Sequence, residues 1–513
     1  MKNNITKLLN QNSKVQQGDK EKIEKQHASG KLSARERIDL LLDDDSFIEV
    51  DKFSGNGGME EKLGSDEVSA DSIVGGYGTV DGRLVFVYAQ DFTVAGGSVG
   101  EKHAEKIVNI QKMALKMGAP IISLMDSKGG KVEEGIDTIS GYGKILHQNT
   151  ISSGVIPQIS IVVGPCAGGI SFSTALSDFT FMVDKTSSMF INGPQVIKSQ
   201  TNEDISQEEL GGAMVNNSVS GVAHFLDYSE EECINRIREL LSFLPSNNLE
   251  NAPSYDSVDN INRVEDFLNQ VLPENIYGPY DMKEIVKLIA DEGYFFEIQP
   301  YYAENIITGY IRLNGRTIGV VANQPSIEEG LLSINAVNKA ARFIRNCDAF
   351  NIPLLNLVDV AGFVPTKSEE HGGIIRHGAK MIYGYSEATV PKITLVIRKA
   401  YGSAYLSMCS KELGADQVFA WPGSEISVLD PEAAANIIFK DEIANSADPI
   451  LTRKEKIEEY KALEANPYNA AKKGYIDDII LPSITRPRLI SAFDMLETKR
   501  ETRPGKKHGN LPV

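Results

Sequence analysis

The segment VGGYGTVDGRLVFVYAQ at residues 74–90 gives the first indication of the fold, because a similar segment, ITGYIRLNGRTIGVVANQ, occupies residues 307–324. Tyr77 of the first segment corresponds to Tyr310 of the second. Two further pairs of segments match at nearly the same separation along the chain: GAPIISLMD at 118–126 with NIPLLNLVD at 351–359, and VIPQISIVVGPCAGG at 155–169 with TVPKITLVIRKAYGS at 389–403. Three matches at a nearly constant separation predict the duplication of a whole domain, since solenoid repeats are far shorter.

Each copy alternates Val/Ile-rich runs with helix-patterned runs. In the first copy, Leu84–Tyr88, Ile121–Met125 and Gln158–Val163 predict buried strands. Residues 103–117 predict a helix, because apolar side chains recur there at helical spacing. Strands that alternate with helices pair mostly in parallel, since the helical crossover returns the chain to the same end of the sheet. The sequence therefore predicts an α/β fold.

The polar stretch at 245–262, in which Pro, Ser and Asn cluster, is the predicted linker between the two copies. We expect an N-terminal domain over residues 1–255 and a C-terminal domain over residues 256–513. A leading helical arm is predicted at 2–42, where Lys, Glu, Gln and Leu are frequent.

Composition excludes several classes of protein. Of 513 residues, 42% are hydrophobic and 24% are charged, which is the balance of a globular chain and not of a disordered or collagenous one. The formal net charge of −18 argues against non-specific binding of nucleic acid. The four cysteines form no CxxC pair, so we expect no metal site and a reducing, cytoplasmic environment. The N-terminus has no apolar core of the kind found in signal peptides.

Two small-residue loops follow predicted strands at matching points of the repeat. They are GPCAGG at 164–169 and KAYGSAY at 399–405, in which Gly168 and Gly402 occupy equivalent positions. Small residues let a ligand approach the backbone, and the unpaired amides that open the next helix attract negative charge. The pair predicts two oxyanion holes, and therefore chemistry that generates two anions. The alternative is that both loops are plain turns between a strand and a helix.

The chain resembles the carboxyltransferase subunits of biotin-dependent acyl-CoA carboxylases and decarboxylases, and the propionyl-CoA and methylmalonyl-CoA members most closely. Seven collinear segments carry this resemblance: GKLSARERIDLLLD at 30–43, AQDFTVAGGSVGEKHAEKI at 89–107, GPCAGG at 164–169, ARFIRNCDAFNIPLLNLVDVAGF at 341–363, EHGGIIRHGAK at 370–380, RKAYGSAY at 398–405 and KRETRPGKKHGNLPV at 499–513.

The resemblance implies two tandem crotonase-like domains, each a spiral of ββα units. It implies antiparallel pairing of two chains and a homohexamer made of three such pairs. It also implies that CO2 moves between the N1 atom of biotin and the α-carbon of a short-chain acyl-CoA, with acyl-CoA on the N-terminal half and carboxybiotin on the C-terminal half. The amides of Gly168 and Gly169 would stabilise one anion, and those of Ser403 and Ala404 the other. The remaining substrate-binding residues would be Cys166, Ala167, Lys128, Lys131, Tyr401, Gly402 and Leu406.

No biotin-attachment domain and no nucleotide-grasp domain are found in the sequence. The stretch ALKM at 114–117 mimics a biotinylation site, but it continues a helical pattern instead of forming a hairpin tip. We therefore expect biotin to arrive as carboxybiotin on a carrier protein. The other expected partner is a biotin carboxylase or a membrane decarboxylase subunit, and the latter would hold this chain at the membrane periphery.

Four positions depart from the family pattern. Ser403 replaces a usual glycine, so its loop must keep φ negative or carry strain. Lys131 stands where arginine is usual, and a lysine cannot make the same forked contact. Leu406 stands where propionyl-preferring carboxylases often have aspartate, and Asn216 where histidine is usual.

Two other functions stay open on the sequence. A second crotonase-fold CoA enzyme, such as a hydratase or isomerase, would need acidic side chains beside the thioester, and only Glu133 and Glu134 are near. The departures at Ser403 and Lys131 would also fit a non-catalytic assembly subunit. Lys128 and Lys131 fit either contact with the CoA phosphates or simple solvation. For Asp126 and Asp359, which close equivalent strands, we expect buried carboxylates that cap loop amides.

Overall fold

The computed structural model describes residues 1–54 and 72–512, and within them the chain forms two compact units, Met1–Glu250 and Asn251–Val513. The predicted boundary between residues 255 and 256 falls slightly after the observed one. Residues 55–71 of the predicted first domain and Val513 of the second lie outside the described residues.

In the described part of the chain, sixteen strands belong to two sheets of eight. Those of the first unit are β1 Ile48–Glu49, β2 Ile73–Val80, β3 Arg83–Gln90, β4 Ile121–Ser127, β5 Gln158–Ala167, β6 Phe179–Val183, β7 Ser188–Phe190 and β8 Phe225–Asp227. Those of the second are β9 Phe296–Ile298, β10 Ile306–Leu313, β11 Arg316–Asn323, β12 Leu354–Val360, β13 Lys392–Tyr401, β14 Gln417–Ala420, β15 Glu425–Ser427 and β16 Asp478–Ile479.

The helices of the first unit are α1 Lys2–Gln17, α2 Lys20–Ala28, α3 Ala34–Leu41, α4 Glu101–Met117, α5 Ile136–Ser152, α6 Ser171–Leu176, α7 Pro194–Thr201, α8 Gln207–Gly211, α9 Ala213–Ser218 and α10 Glu230–Leu241. Those of the second are α11 Met282–Ile289, α12 Ile334–Ala349, α13 Lys367–Gly372, α14 Ile374–Glu387, α15 Gly402–Ser407, α16 Pro431–Ile438, α17 Lys440–Ala444, α18 Pro449–Leu463, α19 Pro467–Lys472 and α20 Thr485–Leu496. The predicted arm thus contains α1, α2 and α3, and the ALKM stretch lies on α4.

The two sheets have the same topology, strand for strand. The first runs β1-β2-β3-β4-β5-β6-β8 with β7 beside β5, and the second runs β9-β10-β11-β12-β13-β14-β16 with β15 beside β13. In each, the first three strands pair antiparallel and the others pair in parallel. The predicted α/β fold and the internal duplication are therefore confirmed.

A two-residue hairpin turn sets the register at the start of each sheet. The turns are Asp81-Gly82 between β2 and β3, and Asn314-Gly315 between β10 and β11, with positive φ at all four residues. This backbone matches the right-handed twist of the flanking strands, which is why Asp-Gly and Asn-Gly are favoured there.

The central strands β4 and β12 are buried along their whole length. Parallel strands covered on both faces consist of nearly continuous apolar runs, as both do here. Each central strand also has one irregularity in its pairing with the next strand, between Met125 and Ser127 in β4 and between Val358 and Val360 in β12. The residues at these irregularities are Asp126 and Asp359, so the repeat places an equivalent buried carboxylate beside each glycine loop.

Candidate functional site

The two glycine loops have nearly the same backbone. In the first unit, β5 ends at Ala167 with φ −113° and ψ 147°, and Gly168 follows with φ +73°. In the second unit, β13 ends at Tyr401 with φ −112° and ψ 134°, and Gly402 follows with φ +56°. A left-handed residue between a strand and a helix favours glycine, because a side chain there is strained. The duplication therefore preserved the loop conformation and its left-handed glycine, although the residues around that glycine differ.

A helical turn begins at each of these glycines. Gly168 begins the short 3₁₀ segment Gly168–Ile170 ahead of α6, and Gly402 begins α15. The first amides of a helix have no acceptor within that helix. The amides of Gly168 and Gly169, and those of Ser403 and Ala404, are such amides. This is the geometry that binds an anion at a helix start.

Space for a ligand differs between the loops. A Cβ added to Gly168 would meet no atom within 4 Å, whereas one added to Gly402 would stand 3.0 Å from the carbonyl oxygen of Val428. Ser403 is exposed, lies within α15 and has no positive φ. The expectation that this loop must keep φ negative at Ser403 is therefore met without backbone strain.

Tyr142 of α5 packs beneath the first loop. A Cβ added to Gly169 would stand 2.9 Å from its ring. The Tyr142 hydroxyl is buried without a hydrogen-bond partner among the described residues, and burial raises its pKa to about 12. The sequence pattern did not single out this residue, because an aromatic side chain on a helix is usually part of the core.

Of the predicted substrate-binding residues in the first loop, Ala167 is partly exposed but Cys166 is fully buried. Burial, with the Asp126 carboxylate nearby, raises the pKa of the Cys166 thiol to about 12. Cys166 thus belongs to the core of the first unit, and its backbone lies inside the sheet between β4 and β7.

The two predicted phosphate-binding lysines have different surroundings. Lys128 is exposed, and its amide donates to the carbonyl of Gly96. Lys131 is held back by an ion pair of 3.3 Å with Glu134. Glu134 in turn accepts the amide of Glu101 at 2.7 Å, where it caps the start of α4. Of the two lysines, Lys128 is therefore the more accessible to a ligand. Glu134 is held by both Lys131 and the amide of Glu101.

Tyr401 faces away from solvent at the end of β13. It is 3% exposed, and its hydroxyl donates a very short hydrogen bond to Glu425 of β15. Burial, and next the hydrogen bond with Glu425, raises the pKa of Tyr401 far above the usual tyrosine value. Leu406 has the opposite orientation, since 39% of it is exposed on α15.

The two strand-end aspartates are buried and paired with cations. Asp126 lies 2.9 Å from Lys31 and 3.0 Å from Arg37. Asp359 accepts from Arg398 at 2.8 Å and from the amide of Lys399 at 3.1 Å. Asp359 therefore accepts a loop amide, as predicted. The cations around Asp126 were not predicted.

Asn216, at the usual histidine position, has a structural role. Its side-chain amide donates to the carbonyl oxygens of Met189, Gly211 and Gly212 at 2.9–3.4 Å. Its oxygen accepts from Ser220 at 3.0 Å. These bonds fix the turn between α8 and α9.

In residues 1–54 and 72–512 no group of three or more His, Cys, Asp and Glu side chains is arranged to hold a metal ion. Within the same residues, no helix has both the length and the apolar character to cross a membrane.

The model of the carboxyl transferase domain matches residues 25–511. The methylmalonyl-CoA decarboxylase subunit alpha of Veillonella parvula is 55% identical over 98% of this chain and 97% of its own length. The methylmalonyl-CoA carboxyltransferase 12S subunit of Propionibacterium freudenreichii subsp. shermanii is 48% identical over 100% of this chain and 98% of its own. The propionyl-CoA carboxylase carboxyltransferase subunit of Haloferax mediterranei is 51% identical over 97% of this chain and 96% of its own length.

A solved structure of transcarboxylase 12S, described as a hexamer assembly with methylmalonyl-coenzyme A and methylmalonic acid bound, superposes with a TM-score of 0.96. It is 47% identical and covers 100% of this chain and 98% of its own. This likeness confirms the prediction of two tandem crotonase-like domains.

Proposed function

The chain belongs to the carboxyl transferase family, and from this premise we propose that it moves CO2 between carboxybiotin and the α-carbon of a short-chain acyl-CoA. Propionyl-CoA and methylmalonyl-CoA are the proposed thioesters, because relatives named for them match nearly the whole chain. The observation that carries the proposal is the pair of glycine loops, each with a left-handed glycine and open helix-start amides at the same point of the repeat.

The first loop is the proposed site of the acyl-CoA thioester. The amides of Gly168 and Gly169 would donate to the thioester oxygen as it gains negative charge in the enolate. Such donors act because they are fixed before the charge develops, and removing one typically costs about 2.7–4 kcal/mol of transition-state stabilisation. The open space beside Gly168 would hold the acyl group, next to the partly exposed Ala167 and above the buried Cys166.

The second loop is the proposed site of biotin, which supplies CO2 from its N1 atom when bound. The amides of Ser403 and Ala404 would donate to the ureido oxygen, and Gly402 lets that ring approach the backbone. The residues fit such a group, because the helix start offers amides and apolar side chains are exposed around it. Leu406 follows the loop, and Val428, whose carbonyl oxygen lies beside Gly402, is exposed together with Leu429.

Charged residues near the first loop would bind the CoA moiety. Lys128 is the proposed contact for a CoA phosphate, since its side chain is exposed. Lys131 would add a weaker contribution, because Glu134 already neutralises it. The same ion pair argues against Glu134 as the acid or base of a hydratase.

The chain would act with partners. We propose a biotin carrier protein, together with a biotin carboxylase or a membrane decarboxylase subunit, and a cytoplasmic location that becomes membrane-peripheral in the second case. The proposed assembly is a homohexamer built from three antiparallel pairs of chains. The description of the similar transcarboxylase structure as a hexamer assembly supports the number of chains.

The test supplies each reactant separately to the purified chain. With ATP, bicarbonate and propionyl-CoA alone, we expect no methylmalonyl-CoA. With methylmalonyl-CoA and either free biotin or a biotinylated carrier, we expect propionyl-CoA to form at a rate that depends on the biotin concentration. Carboxylation driven by ATP without a partner would contradict the proposal. A chain that retains no acyl-CoA in a binding assay would instead be an assembly subunit.

A further inference from the structure

The second glycine loop has a support made of a buried phenol and a carboxylate, which the first loop does not have among the described residues. Beside β13, the short strand β15 pairs in parallel with Lys399, Ala400 and Tyr401. Beside β5, the equivalent strand β7 pairs with Pro165, Cys166 and Ala167. The paired stretches at the first loop thus contain no acidic or basic side chain, whereas those at the second contain a buried phenol and a carboxylate.

Glu425 is at the centre of this support. It accepts the Tyr401 hydroxyl through one oxygen, and its other oxygen lies 3.3 Å from the ammonium of Lys461 on α18. The Glu425 side chain is 12% exposed and that of Lys461 is 28% exposed. A charge-assisted hydrogen bond in such partly buried surroundings is stronger than one in water. Glu425 therefore ties the end of β13 to β15 and to α18.

A second pair of polar contacts fixes the far end of the same segment. Asp430 accepts the amides of Glu432 and Ala433 at 2.9 and 3.3 Å, and so caps the start of α16. It also accepts the hydroxyl of Tyr277 at 3.3 Å. The ammonium of Lys399, a residue that is 1% exposed, lies 5.5 Å from the centre of the Tyr277 ring. Residues 425–430 are consequently held at both ends.

Between these two anchors the segment exposes apolar side chains beside Gly402. Val428 is 72% exposed and Leu429 is 42% exposed. The carbonyl oxygen of Val428 would lie 3.0 Å from a Cβ on Gly402, so the segment passes directly against the loop. An anchored segment with an exposed apolar middle is the arrangement expected of a subsite wall.

We propose that Glu425 is a positioning residue for biotin, acting through Tyr401 and Lys461 to hold residues 425–430 as one wall of the biotin subsite. This inference rests on the proposed function, which assigns the second loop to biotin. Val428 and Leu429 would contact the apolar face of the biotin ring, while the amides of Ser403 and Ala404 face its oxygen. The acyl-CoA side would be unaffected, because the first loop has no such support.

The test compares Tyr401→Phe and Glu425→Gln with a matched control, Tyr383→Phe. Tyr383 donates a similar hydrogen bond, of 3.0 Å, to Glu387 on α14 of the same unit. Affinities for d-biotin and for propionyl-CoA are measured by ligand-observed NMR, and KM for each ligand is measured in the transfer assay. All three changes are nearly isosteric, and circular dichroism checks that each variant is folded.

We expect Tyr401→Phe to weaken biotin binding by about tenfold, the effect of losing one hydrogen bond to a charged group. Glu425→Gln should weaken it less, because the amide oxygen still accepts from Tyr401. Propionyl-CoA affinity should stay within about twofold in both, and Tyr383→Phe should change neither ligand.

Folded variants with wild-type biotin affinity, or with both ligands weakened equally, would overturn the positioning role. Failure of the proposed function gives a different result, since the wild-type chain itself would then neither bind biotin nor transfer carboxyl groups.

Discussion

The two halves of the chain solve the same electrostatic problem in different ways. Each places a buried aspartate at the end of its central strand, Asp126 or Asp359, and a buried carboxylate must be paired. In the second half the cation is Arg398, which lies on β13 directly ahead of the glycine loop. In the first half the equivalent position is Gly164, where a Cβ would stand 2.0 Å from the Asp126 carboxylate.

The missing side chain at Gly164 leaves room for Lys31, whose ammonium bridges both oxygens of Asp126 at 2.9 Å. Lys31 comes from the N-terminal arm, and so does Arg37, which also forms two hydrogen bonds with Glu230 at 2.7 and 2.9 Å. The arm is therefore an integral part of the first unit. It supplies the charges that the first copy of the repeat lacks.

The largest expected effect is on the rate of carboxyl transfer, when a side chain is added to the first glycine loop and the second loop is left unchanged. Gly168→Val should lower kcat for carboxyl transfer by at least about 10²–10³-fold, because the isopropyl group fills the space that the thioester would occupy beside the loop amides. The control is Gly474→Val, since Gly474 also has a positive φ and free space but lies outside both loops. Steady-state kinetics and size-exclusion chromatography are the measurements. Wild-type turnover by folded Gly168→Val would remove this loop from the site.

The next effect concerns the charges of the arm. Arg37→Met should lower the free energy of unfolding by about 3–5 kcal/mol, because Glu230 and Asp126 stay buried while losing their shared partner. Arg398→Met should cost less, since Asp359 keeps the hydroxyl of Tyr280 at 2.8 Å and the amide of Lys399. Chemical denaturation of both variants measures the difference.

A matched double variant, Arg37→Met with Glu230→Met, should recover part of the lost stability, because one orphaned carboxylate is removed along with the guanidinium. Equal losses for Arg37→Met and Arg398→Met would mean that the two halves depend on their cations to the same degree.

A smaller effect is expected at Leu406, the exposed residue after the second loop. We expect Leu406 to contact the acyl group as well as biotin, because CO2 passes directly between the two. Its apolar side chain would then discriminate between acyl groups by contact alone, which is worth about 10–200-fold per methylene. Leu406→Asp should shift the ratio of kcat/KM among acetyl-, propionyl- and butyryl-CoA, with the same biotin donor throughout. Identical ratios for the two proteins would place acyl selection in the first half instead.

The smallest effect is the pH dependence that His103 gives to the stability of the first half. Burial, then the charges of Lys131 and Lys106, lowers the pKa of His103 from 6.5 to about 3, whereas the second half has Ala336 at this position. Because the unfolded chain binds a proton below pH 6.5 and the folded chain does not, stability should fall as the pH drops. The loss should be about 1 kcal/mol between pH 6.5 and 5.5. Denaturation of His103→Gln across this range should show a shallower slope, and an unchanged slope would mean that other groups dominate.

Much of this architecture could be predicted from the sequence. The nearly constant separation of the matched segments fixes the duplication, and the apolar runs fix the central strands, since β4 begins at the predicted Ile121 and β5 at the predicted Gln158. Both glycine loops were predicted for the same reason, because small residues after a strand have few structural alternatives. These features depend on local pattern, which a sequence displays directly.

The partners of Asp126 could not be predicted, because Lys31 and Arg37 lie in an arm whose spacing indicates only a helix. The support behind Tyr401 was also missed, since nothing in a stretch as short as Glu425–Ser427 marks it as a strand beside β13. Tyr401 was predicted to bind substrate, but the direction of its hydroxyl depends on tertiary packing. A local sequence pattern does not show which side chains pair when they lie far apart in the sequence.

The claim that each glycine loop serves its own ligand is tested most directly by two matched alanine variants. Gly168→Ala and Gly402→Ala place the same methyl group on a left-handed residue in each half, and titrations followed by ligand-observed NMR give the affinity of both for propionyl-CoA and for d-biotin. We expect a crossed result, in which Gly168→Ala weakens the binding of propionyl-CoA alone and Gly402→Ala weakens the binding of biotin alone. If both variants weaken the same ligand and spare the other, the division of labour between the two halves is contradicted.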